Sequence, residues 1–368
     1  MLGGGQLGRY FVVAAHELGY RVWVLDPDPD SPAGRIADRH LVSAYDDPEA
    51  IDELAVGCAA VTTEFENVPA DTLGALAART VAHPSPDAVA VAQDRIAEKA
   101  FLVDLEAPVG PYVAVTSDAD LADAVDDLFP AILKRARFGY DGKGQATVAD
   151  ASGARAAFAA FDRVPCVLER RLPLDRELSV VLARSRSGDV ECFATAENRH
   201  RGGILDVSLA PARITSDQDA EARAVATRIA EALDYVGVLA VELFVSDGRI
   251  LVNELAPRPH NSGHLTLDAT VTSQFEQQVR TLCGLPLGSP RPVADAAMVN
   301  LLGDLWPDGG EPPWGAILGV PGLKLHLYGK AEPRPGRKMG HFTVLGDDLA
   351  TTLAAAEQAR AAIGVTDD

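Results

Sequence analysis

Residues 238–264 read VLAVELFVSDGRILVNELAPRPHNSGH, and this stretch carries most of the information about the fold. Two apolar runs flank Ser246-Asp247-Gly248, a combination that predicts a β-hairpin. If the loop runs from Asp247 to Arg249, Glu242 lies directly opposite Glu254 and both carboxylates face the same side of the sheet. A shift of one residue in the pairing would instead put them on opposite faces.

Two facing glutamates destabilise a sheet unless a cation lies between them. Magnesium fits this position because it favours one or two carboxylates together with nucleotide phosphates. Asn253 neighbours Glu254, but strict alternation turns its side chain to the other face unless the strand twists or ends there. The alternative is a pair of solvated glutamates on an exposed sheet, and apolar neighbours such as Val241 and Leu251 argue against it.

The segment 256–264 places a cation, two imidazoles and small polar side chains next to this predicted metal site. Arg258, His260 and Asn261 suit a small oxyanion such as bicarbonate, or a phosphoryl group in transfer. A polar loop without a ligand is the alternative. A zinc site on His260 and His264 is disfavoured, because the adjacent proline and glycine oppose the helix that this spacing would need.

Two glycine-rich segments could approach phosphates. Gly3-x-Gly5-x-x-Gly8, followed by Asp26, fits a dinucleotide fingerprint, but a tight β–α turn without a ligand fits it equally. The second segment, 138–145, has three glycines and Lys143 but lacks the order of a Walker A loop. Lys134 ends the short apolar strand before it and can flank the same site if the loop doubles back. The alternative there is a flexible loop with surface lysines.

Charge and composition exclude several classes of partner. The 368 residues carry a net charge of -20, which repels nucleic acid and anionic lipid, and no run of 18 apolar residues appears. The four cysteines lie far apart, which argues against a zinc site or a disulfide framework and favours a reducing cytoplasm. A local basic cluster predicts a phosphate clamp, with a solvated basic loop as the alternative. Its members are Lys330, Arg334, Arg337 and Lys338.

The order of predicted elements divides the chain. Strands alternate with helices before His83-Pro84-Ser85-Pro86, which predicts a parallel, doubly wound sheet whose first strand is very short. A helix is predicted over 93–105 and a strand over 130–135. A proline-rich linker at 286–292 precedes a small tail.

Taken together, these pieces resemble the ATP-grasp superfamily, and within it the N5-carboxyaminoimidazole ribonucleotide synthase family. The resemblance runs nearly end to end. Its long motif from Asn253 is specific, whereas the glycine-rich segment Gly3–Gly8, called the glycine start below, is not. The other matching motifs are Gly-Gly-Gly-Gln-Leu-Gly from Gly3, Thr-Glu-Phe-Glu-Asn from Thr63, Phe-Gly-Tyr-Asp-Gly-Lys-Gly-Gln from Phe138, Asp-Arg-Glu-Leu-Ser-Val from Asp175, Ala-Glu-Asn from Ala196, and Gly329-Lys330 with Arg337.

The resemblance implies an α/β and α+β fold in three parts. A Rossmann-like pre-ATP-grasp domain would span 1–86, a two-part ATP-grasp domain 87–290 and a small C-terminal domain 291–368. The implied enzyme is a cytoplasmic homodimer that uses Mg²⁺, ATP, bicarbonate and 5-aminoimidazole ribonucleotide, with no nucleic acid or membrane partner. Bicarbonate would attack the γ-phosphate to give carboxyphosphate, and the amine of the ribonucleotide would capture the carboxyl group or released CO₂.

The resemblance also implies roles for individual residues. ATP would be bound by Arg95, Lys134, Gly139, Tyr140, Asp141, Gly142, Lys143, Gly144, Gln145, Glu169, Arg170, Arg171, Leu172, Glu177, His200, Asn253 and Glu254. Magnesium would be held by Glu242 and Glu254. Catalytic roles would fall to Arg258, His260, Asn261 and Asp141. The aminoimidazole nucleotide would be bound by Gln6, Tyr140, Asp141, Lys330 and Arg337. Arg170 and Arg171 stand where a less basic pair is expected, which leaves their side-chain contacts open.

Three other functions compete with this one. A nicotinamide oxidoreductase would explain the glycine start, but it leaves Glu242, Glu254 and the second glycine loop unexplained. A formate-dependent glycinamide ribonucleotide transformylase has a similar Asn-Glu-x-x-Pro-Arg-Pro-His segment, but that segment continues differently from Asn261-Ser262-Gly263-His264. A nucleotide-binding module without catalysis would not need the carboxylate pair.

Overall fold

The computed structural model describes residues 1–122, 126–139, 144–306 and 310–365. Four residues of the second glycine loop therefore lie outside the described part. They are Tyr140, Asp141, Gly142 and Lys143, so their predicted contacts with ATP and the ribonucleotide remain predictions. Within the described ranges, no helix is both long and apolar enough to cross a membrane.

The N-terminal domain contains the predicted parallel sheet. Its elements are α1 (Gln6–Glu17), β1 (Trp23–Leu25), β2 (Arg39–Leu41), α2 (Pro48–Gly57), β3 (Ala60–Val61), α3 (Ala70–Ala77), β4 (Val81–Ala82) and α4 (Pro86–Gln93). Strand β1 pairs with β2 and β3 with β4, all in parallel. Leu2 is fully buried and bridges in parallel to both Leu25 and Thr63. A single residue thus takes the place of the central strand, which confirms the very short first strand.

A four-stranded antiparallel sheet forms the next part. Its elements are α5 (Arg95–Asp104), β5 (Tyr112–Val115), α6 (Asp118–Ala122), β6 (Ala131–Arg135), β7 (Gln145–Val148), α7 (Ala151–Ala160) and β8 (Cys166–Arg170), in the strand order β5-β8-β6-β7. The predicted helix over 93–105 is interrupted at Asp94, whose carboxylate accepts the Ile96 N–H at 2.9 Å. Asp94 is therefore the N-cap of α5, which it separates from α4.

A nine-stranded antiparallel sheet extends through the rest of the chain. Its elements are β9 (Arg176–Arg184), β10 (Val190–Cys192), β11 (Ala196–Arg201), β12 (Ile204–Ala210), α8 (Ser216–Ala232), β13 (Gly237–Ser246), β14 (Arg249–Ala256), α9 (Thr266–Ala269), α10 (Gln274–Cys283), β15 (Asp295–Leu302), β16 (Leu323–Leu327), β17 (Lys338–Gly346) and α11 (Leu349–Ala362). The order is β14-β13-β9-β11-β12-β15-β17-β16, and β10 pairs with β9. The C-terminal strands continue the sheet that begins with β14, so the tail shares a hydrogen-bonded sheet with the preceding part.

The hairpin of β13 and β14 differs from the prediction in its turn. Ser246 pairs with Arg249, so the predicted three-residue loop is wrong and the turn has two residues. Both Asp247 and Gly248 have positive φ, 50° and 74°, as an Asp-Gly hairpin turn requires. The register then shifts between Glu242 and Leu243, and this bulge restores the predicted pairing of Glu242 with Glu254.

A buried cluster of aromatic rings joins the three parts of the chain. Its rings have centroids 4.5–6.2 Å apart. The members are Tyr10 from α1, His264 and Phe275 from the middle part, and His326, Tyr328 and His341 from the C-terminal part. Burial holds the pKa of His264 and of His341 well below the usual value. Both ring nitrogens of His264 lack a hydrogen-bond partner among the described residues.

We expect His264→Phe to stabilise the protein more at pH 5.5 than at pH 7.5. The folded protein keeps His264 neutral, whereas the unfolded chain protonates it below about pH 6.5, so stability is lost as the pH falls below that value. Removing this proton linkage is worth on the order of 1 kcal/mol at pH 5.5, or roughly 2 °C in melting temperature. Thermal unfolding at both pH values measures it. His16→Gln, at a half-exposed histidine, is the control, and an equal gain at both pH values would contradict the prediction.

Candidate active site

The bulge in β14 determines how the hairpin presents its polar side chains. Asn253 and Glu254 together oppose Glu242. Because of this bulge, the strict alternation that would turn the Asn253 side chain to the face opposite Glu254 does not apply. Asn253 lines a cavity between the two antiparallel sheets, and its Oδ1 is buried without a hydrogen-bond partner among the described residues. An unpaired buried oxygen of this kind is available to a ligand.

The protein itself supplies a partner for each of the two facing glutamates. Arg95 Nη1 donates to Glu254 Oε2 at 2.6 Å, and His260 Nε2 lies 3.0 Å from Glu242 Oε1. Burial by itself would raise the pKa of Glu254, but the charge of Arg95 lowers that pKa to about 2. The repulsion expected from the sequence is therefore offset within the chain, before any metal binds.

The donor set of this pair fits magnesium. Two carboxylates oppose each other across the hairpin, and Mg²⁺ completes its coordination with water and nucleotide phosphates. Within the part of the chain that the structure describes, no group of three or more His, Cys, Asp or Glu side chains could hold a metal.

A cavity of about 580 Å³ lies between the four-stranded and the nine-stranded sheet. The structure brings six of the predicted ATP-binding residues together on its walls: Lys134, Glu169, Arg170, Arg171, Leu172 and Asn253. Lys134 Nζ donates to Glu169 Oε2 at 2.7 Å, which fixes the ammonium group at the cavity wall. The mixture of apolar walls and a few placed charges suits a nucleotide.

Lys99 also lines this cavity, and sequence reasoning missed it. Its ammonium is buried, lies 3.6 Å from Glu169 Oε1 and donates to the backbone oxygen of Asn253 at 3.0 Å. Because Asn253 is 154 residues away along the chain, no sequence spacing could have indicated this contact.

The arginine pair Arg170-Arg171, which the sequence left without assigned side-chain contacts, lies at the end of β8. The guanidinium of Arg170 donates to the backbone oxygen of Asp127 at 2.6 Å, and the Arg171 N–H donates to the Pro130 oxygen at 2.9 Å. Two contacts with the preceding loop thus anchor this segment, which explains how a basic pair is accommodated beside the cavity.

Glu177 and His200 form a separate pair next to the cavity. Glu177 Oε2 lies 2.8 Å from His200 Nδ1. Burial lowers the pKa of His200, but the interaction with the Glu177 carboxylate outweighs it and raises that pKa above the usual value. Glu177 on β9 pairs in the sheet with Phe244 on β13, and Phe244 lines the cavity. The Glu177–His200 pair therefore begins one strand beyond the cavity-lining strand β13.

The loop after the hairpin is fixed from several directions. Arg258 forms an ion pair with Glu66 of the N-terminal domain. The N–H of His260 donates to Gln274 Oε1 at 2.9 Å, and Nδ1 of His260 lies 2.9 Å from Ser262 Oγ. Rigid attachment of this kind holds a cation and an imidazole at set positions beside the carboxylate pair.

Asn261 meets a partner that the sequence did not indicate. Its Nδ2 donates to Asn300 Oδ1 at 3.0 Å, and Asn300 Nδ2 donates back to Asn261 Oδ1 at 2.7 Å. Asn300 also donates to the backbone oxygen of Leu205 at 2.8 Å. The amide of Asn261 is thus engaged with the C-terminal part of the chain in this state.

The glycine start is occupied by carboxylates of the protein. Glu64 accepts the N–H groups of Gly5 at 2.5 Å and Gly8 at 2.8 Å, and Asp26 accepts the Gly4 N–H at 2.7 Å. A Cβ atom on Gly5 would lie 2.6 Å from Glu64 Oε1, so this close approach explains the glycine. A dinucleotide phosphate would compete with Glu64 for the same amides, which removes the basis for a nicotinamide oxidoreductase.

The basic cluster lies in the loop between β16 and β17. Lys330 Nζ donates to the Lys338 oxygen at 2.7 Å, and Arg337 Nη1 donates to the Glu332 oxygen at 2.9 Å. Arg35 of the N-terminal domain donates to the Gly329 oxygen at 3.1 Å. That contact brings the basic loop against the domain that carries Gln6, the half-buried first residue of α1.

Comparison with known proteins supports each part of this architecture. Family models match residues 1–93 as a ribonucleotide synthetase preATP-grasp domain, 100–275 as an ATP-grasp domain and 296–355 as a phosphoribosylaminoimidazole carboxylase C-terminal domain. The N5-carboxyaminoimidazole ribonucleotide synthase of Brucella melitensis is 46% identical over 347 residues, covering 93% of this chain and 94% of the relative.

Two crystal structures have the same fold over nearly the whole chain. The Thermus thermophilus N5-carboxyaminoimidazole ribonucleotide synthetase has a TM-score of 0.91 at 42% identity and covers 100% of this chain and 98% of its own. The Aspergillus clavatus synthase, in complex with ADP and 5-aminoimidazole ribonucleotide, has a TM-score of 0.91 at 30% identity, with 98% and 97% coverage. The chain therefore belongs to the N5-carboxyaminoimidazole ribonucleotide synthase family of ATP-grasp enzymes.

Proposed function

We propose that this protein carboxylates 5-aminoimidazole ribonucleotide to N5-carboxyaminoimidazole ribonucleotide in purine biosynthesis, consuming ATP and bicarbonate and releasing ADP and phosphate. The observation that carries the proposal is the nucleotide-sized cavity that ends at the Glu242–Glu254 hairpin. Lys134 of the four-stranded sheet and Asn253 of the nine-stranded sheet line its opposite walls, and the loop with Arg258 and His260 follows the hairpin directly.

The reaction proceeds in two substitutions. A bicarbonate oxygen attacks the γ-phosphorus of ATP, the bond to ADP breaks, and carboxyphosphate forms. The exocyclic amine of the ribonucleotide then bonds to the carboxyl carbon, either directly or after release of CO₂ in the closed site, and phosphate leaves. The amine loses a proton in this step, and Asp141 is the acceptor that we propose for it.

The residues of the chain bind and orient the reactants. Lys134 binds a phosphate of ATP, while the carboxyl group of Glu169 holds its ammonium in place. Arg258 and His260 orient bicarbonate with a guanidinium and an imidazole, with Asn261 beside them. Glu242 and Glu254 would hold Mg²⁺, which neutralises phosphate charge when it is bound. Glu254 would then exchange its ion pair with Arg95 for the metal.

The remaining ATP-binding residues extend these contacts. Glu177, which pairs with His200, takes the ribose hydroxyls, and segment 169–172 lines the adenine largely through its backbone. Arg95 and the glycine loop 139–145 also bind the phosphates of ATP in this proposal. The ribonucleotide is bound by Gln6, Tyr140 and Asp141, with Lys330 and Arg337 on its phosphate. In a chain of net charge -20, this local positive charge admits a phosphorylated substrate.

We further propose that the enzyme works in the cytoplasm as a homodimer. The cysteines Cys58, Cys166, Cys192 and Cys283 are free thiols, which fits a reducing compartment. Light scattering would test the dimer.

We expect phosphate release from ATP to rise strongly only when 5-aminoimidazole ribonucleotide and bicarbonate are both present. The reason is that the proposed ribonucleotide site is separate from the ATP cavity, so both must be filled for transfer. A coupled phosphate assay, with each substrate omitted in turn, measures this. Equal phosphate release with formate and glycinamide ribonucleotide as replacements would favour the transformylase instead.

Arg337→Ala is expected to weaken apparent affinity for the ribonucleotide about 10–100-fold, because a charge-assisted hydrogen bond is worth roughly 1.5–3 kcal/mol. ATP affinity should barely change. Arg337→Lys should recover part of the loss, since an ammonium cannot grip phosphate bidentately. Arg79→Ala is the matched control, because Arg79 is partly exposed, lies outside the basic cluster and pairs with Asp52. If Arg337→Ala weakens ATP binding instead, or if it changes neither affinity, the basic cluster is only a solvated loop.

Glu254→Gln should abolish most activity and also lower the metal-free melting temperature. The change removes both a hard anionic ligand and the ion pair with Arg95, a charged hydrogen bond worth on the order of 1–3 kcal/mol. Differential scanning calorimetry in EDTA measures the stability. Glu276→Gln, which breaks an i,i+4 pair with Arg280 on α10, is the control. An unchanged or higher melting temperature would mean that repulsion from Glu242 outweighs the Arg95 pair.

A further inference from the structure

Helix α5 directs three ionisable side chains at one short stretch of β14. Arg95, Glu98 and Lys99 occupy positions i, i+3 and i+4, so they share one face of the helix. Their partners are consecutive residues. Lys99 Nζ donates to the Asn253 oxygen at 3.0 Å, Arg95 pairs with the Glu254 carboxylate, and Glu98 Oε1 accepts the Leu255 N–H at 2.6 Å.

These contacts complete the edge of the large sheet. Strand β14 ends the strand order, so one side of its backbone faces away from β13. Residues Asn253 and Leu255 present their oxygen and N–H, respectively, to Lys99 and Glu98. Both side chains are buried, with 2% and 1% of their surface exposed. Unpaired backbone groups would be costly at such a place, and the two side chains satisfy them as a neighbouring strand would.

The bulge makes this support necessary. A bulge interrupts the ladder of hydrogen bonds on the β13 side, exactly where Asn253 and Glu254 oppose Glu242. The pairing with β13 therefore fixes this segment less firmly than the rest of the hairpin. Contacts on the outer edge are what remain to hold the two residues in one conformation.

We propose that Glu98 and Lys99 are positioning residues that hold the bulged Asn253-Glu254 segment in the conformation that binds metal–ATP. The proposal rests on the role of Glu254 as a magnesium ligand. Neither side chain needs to touch the metal. They act through the backbone of Asn253 and Leu255, and Lys99 in addition lies beside Glu169 of the opposite sheet, so it connects the two walls of the cavity.

The test measures metal binding directly. Mn²⁺ replaces Mg²⁺ as a probe, and electron paramagnetic resonance reports its affinity for the enzyme–ATP complex. Glu98→Met keeps the length of the side chain but removes the acceptor, and we expect it to weaken Mn²⁺ binding about 10-fold or more, as loss of a group that orients a metal ligand typically does. Glu98→Gln keeps an acceptor oxygen and should stay within about threefold of the wild type.

Lys99→Met provides a second, independent variant in case Glu98→Met does not fold. It removes the donor to the Asn253 oxygen and should weaken Mn²⁺ binding in the same direction. Val103→Ala, at an exposed position on the same helix, is the control and should leave Mn²⁺ affinity unchanged. Melting temperatures of all variants separate loss of stability from loss of metal binding.

The outcomes are distinguishable. If both methionine variants lower the melting temperature yet bind Mn²⁺ like the wild type, α5 has a structural role alone and the proposal is overturned. Equal weakening by Glu98→Gln and Glu98→Met would also overturn it, because the acceptor would then not matter. Glu254→Gln is measured in parallel. If it leaves Mn²⁺ affinity unchanged, the proposed metal site itself is wrong, whereas a loss in Glu254→Gln alone rejects only the role of Glu98 and Lys99.

Discussion

The bulge in β14 connects the hairpin to the nucleotide cavity, and the geometry of the site depends on it. The two-residue turn at Asp247-Gly248 sets a register that would otherwise place Glu242 opposite Asn253. One extra residue in β14 restores the pairing of Glu242 with Glu254 and leaves Asn253 on the cavity wall with an unpaired oxygen. In a regular hairpin, successive side chains alternate between the two faces. One face would therefore carry either the Glu242–Glu254 pair or the Asn253 amide, but not both.

Charge is distributed around this site in pairs. Lys134 pairs with Glu169, Arg95 with Glu254, Arg258 with Glu66, and His260 with Glu242. A buried charge without a partner is costly, so these internal pairs keep a highly charged site stable without substrates. Under the proposed function, binding of phosphates, metal or bicarbonate would then exchange one partner for another. An exchange of partners costs less than the creation of a new buried charge, and it makes ligand binding compete with specific contacts of the free protein.

Sequence patterns predicted the local features of this enzyme and missed the long-range ones. The hairpin, the short first strand and the polar loop after β14 follow from spacing, turn residues and apolar runs within a few residues. The bulge does not, because it depends on how β14 meets its neighbours. Lys99, Asn300 and Glu66 were missed as well, since each meets a partner 39 to 192 residues away. Glu64 shows the same limit. The glycine start resembles a dinucleotide site in sequence, but in the structure the Glu64 carboxylate accepts the N–H groups of Gly5 and Gly8.

The joints between the three parts of the chain lie around the proposed ribonucleotide site. The large sheet is continuous through β15, β17 and β16, so the C-terminal part is fixed to the hairpin by backbone hydrogen bonds. The Asn261–Asn300 pair ties the loop after β14 to that same part, and Arg35 ties the basic loop to the N-terminal domain. The aromatic cluster fills the junction with rings from all three parts. A substrate bound there would contact residues from each part, whereas the proposed ATP cavity lies between the four-stranded and the nine-stranded sheet. In the proposed reaction, the two substrates would therefore be recognised by separate sets of residues and would still meet at the hairpin.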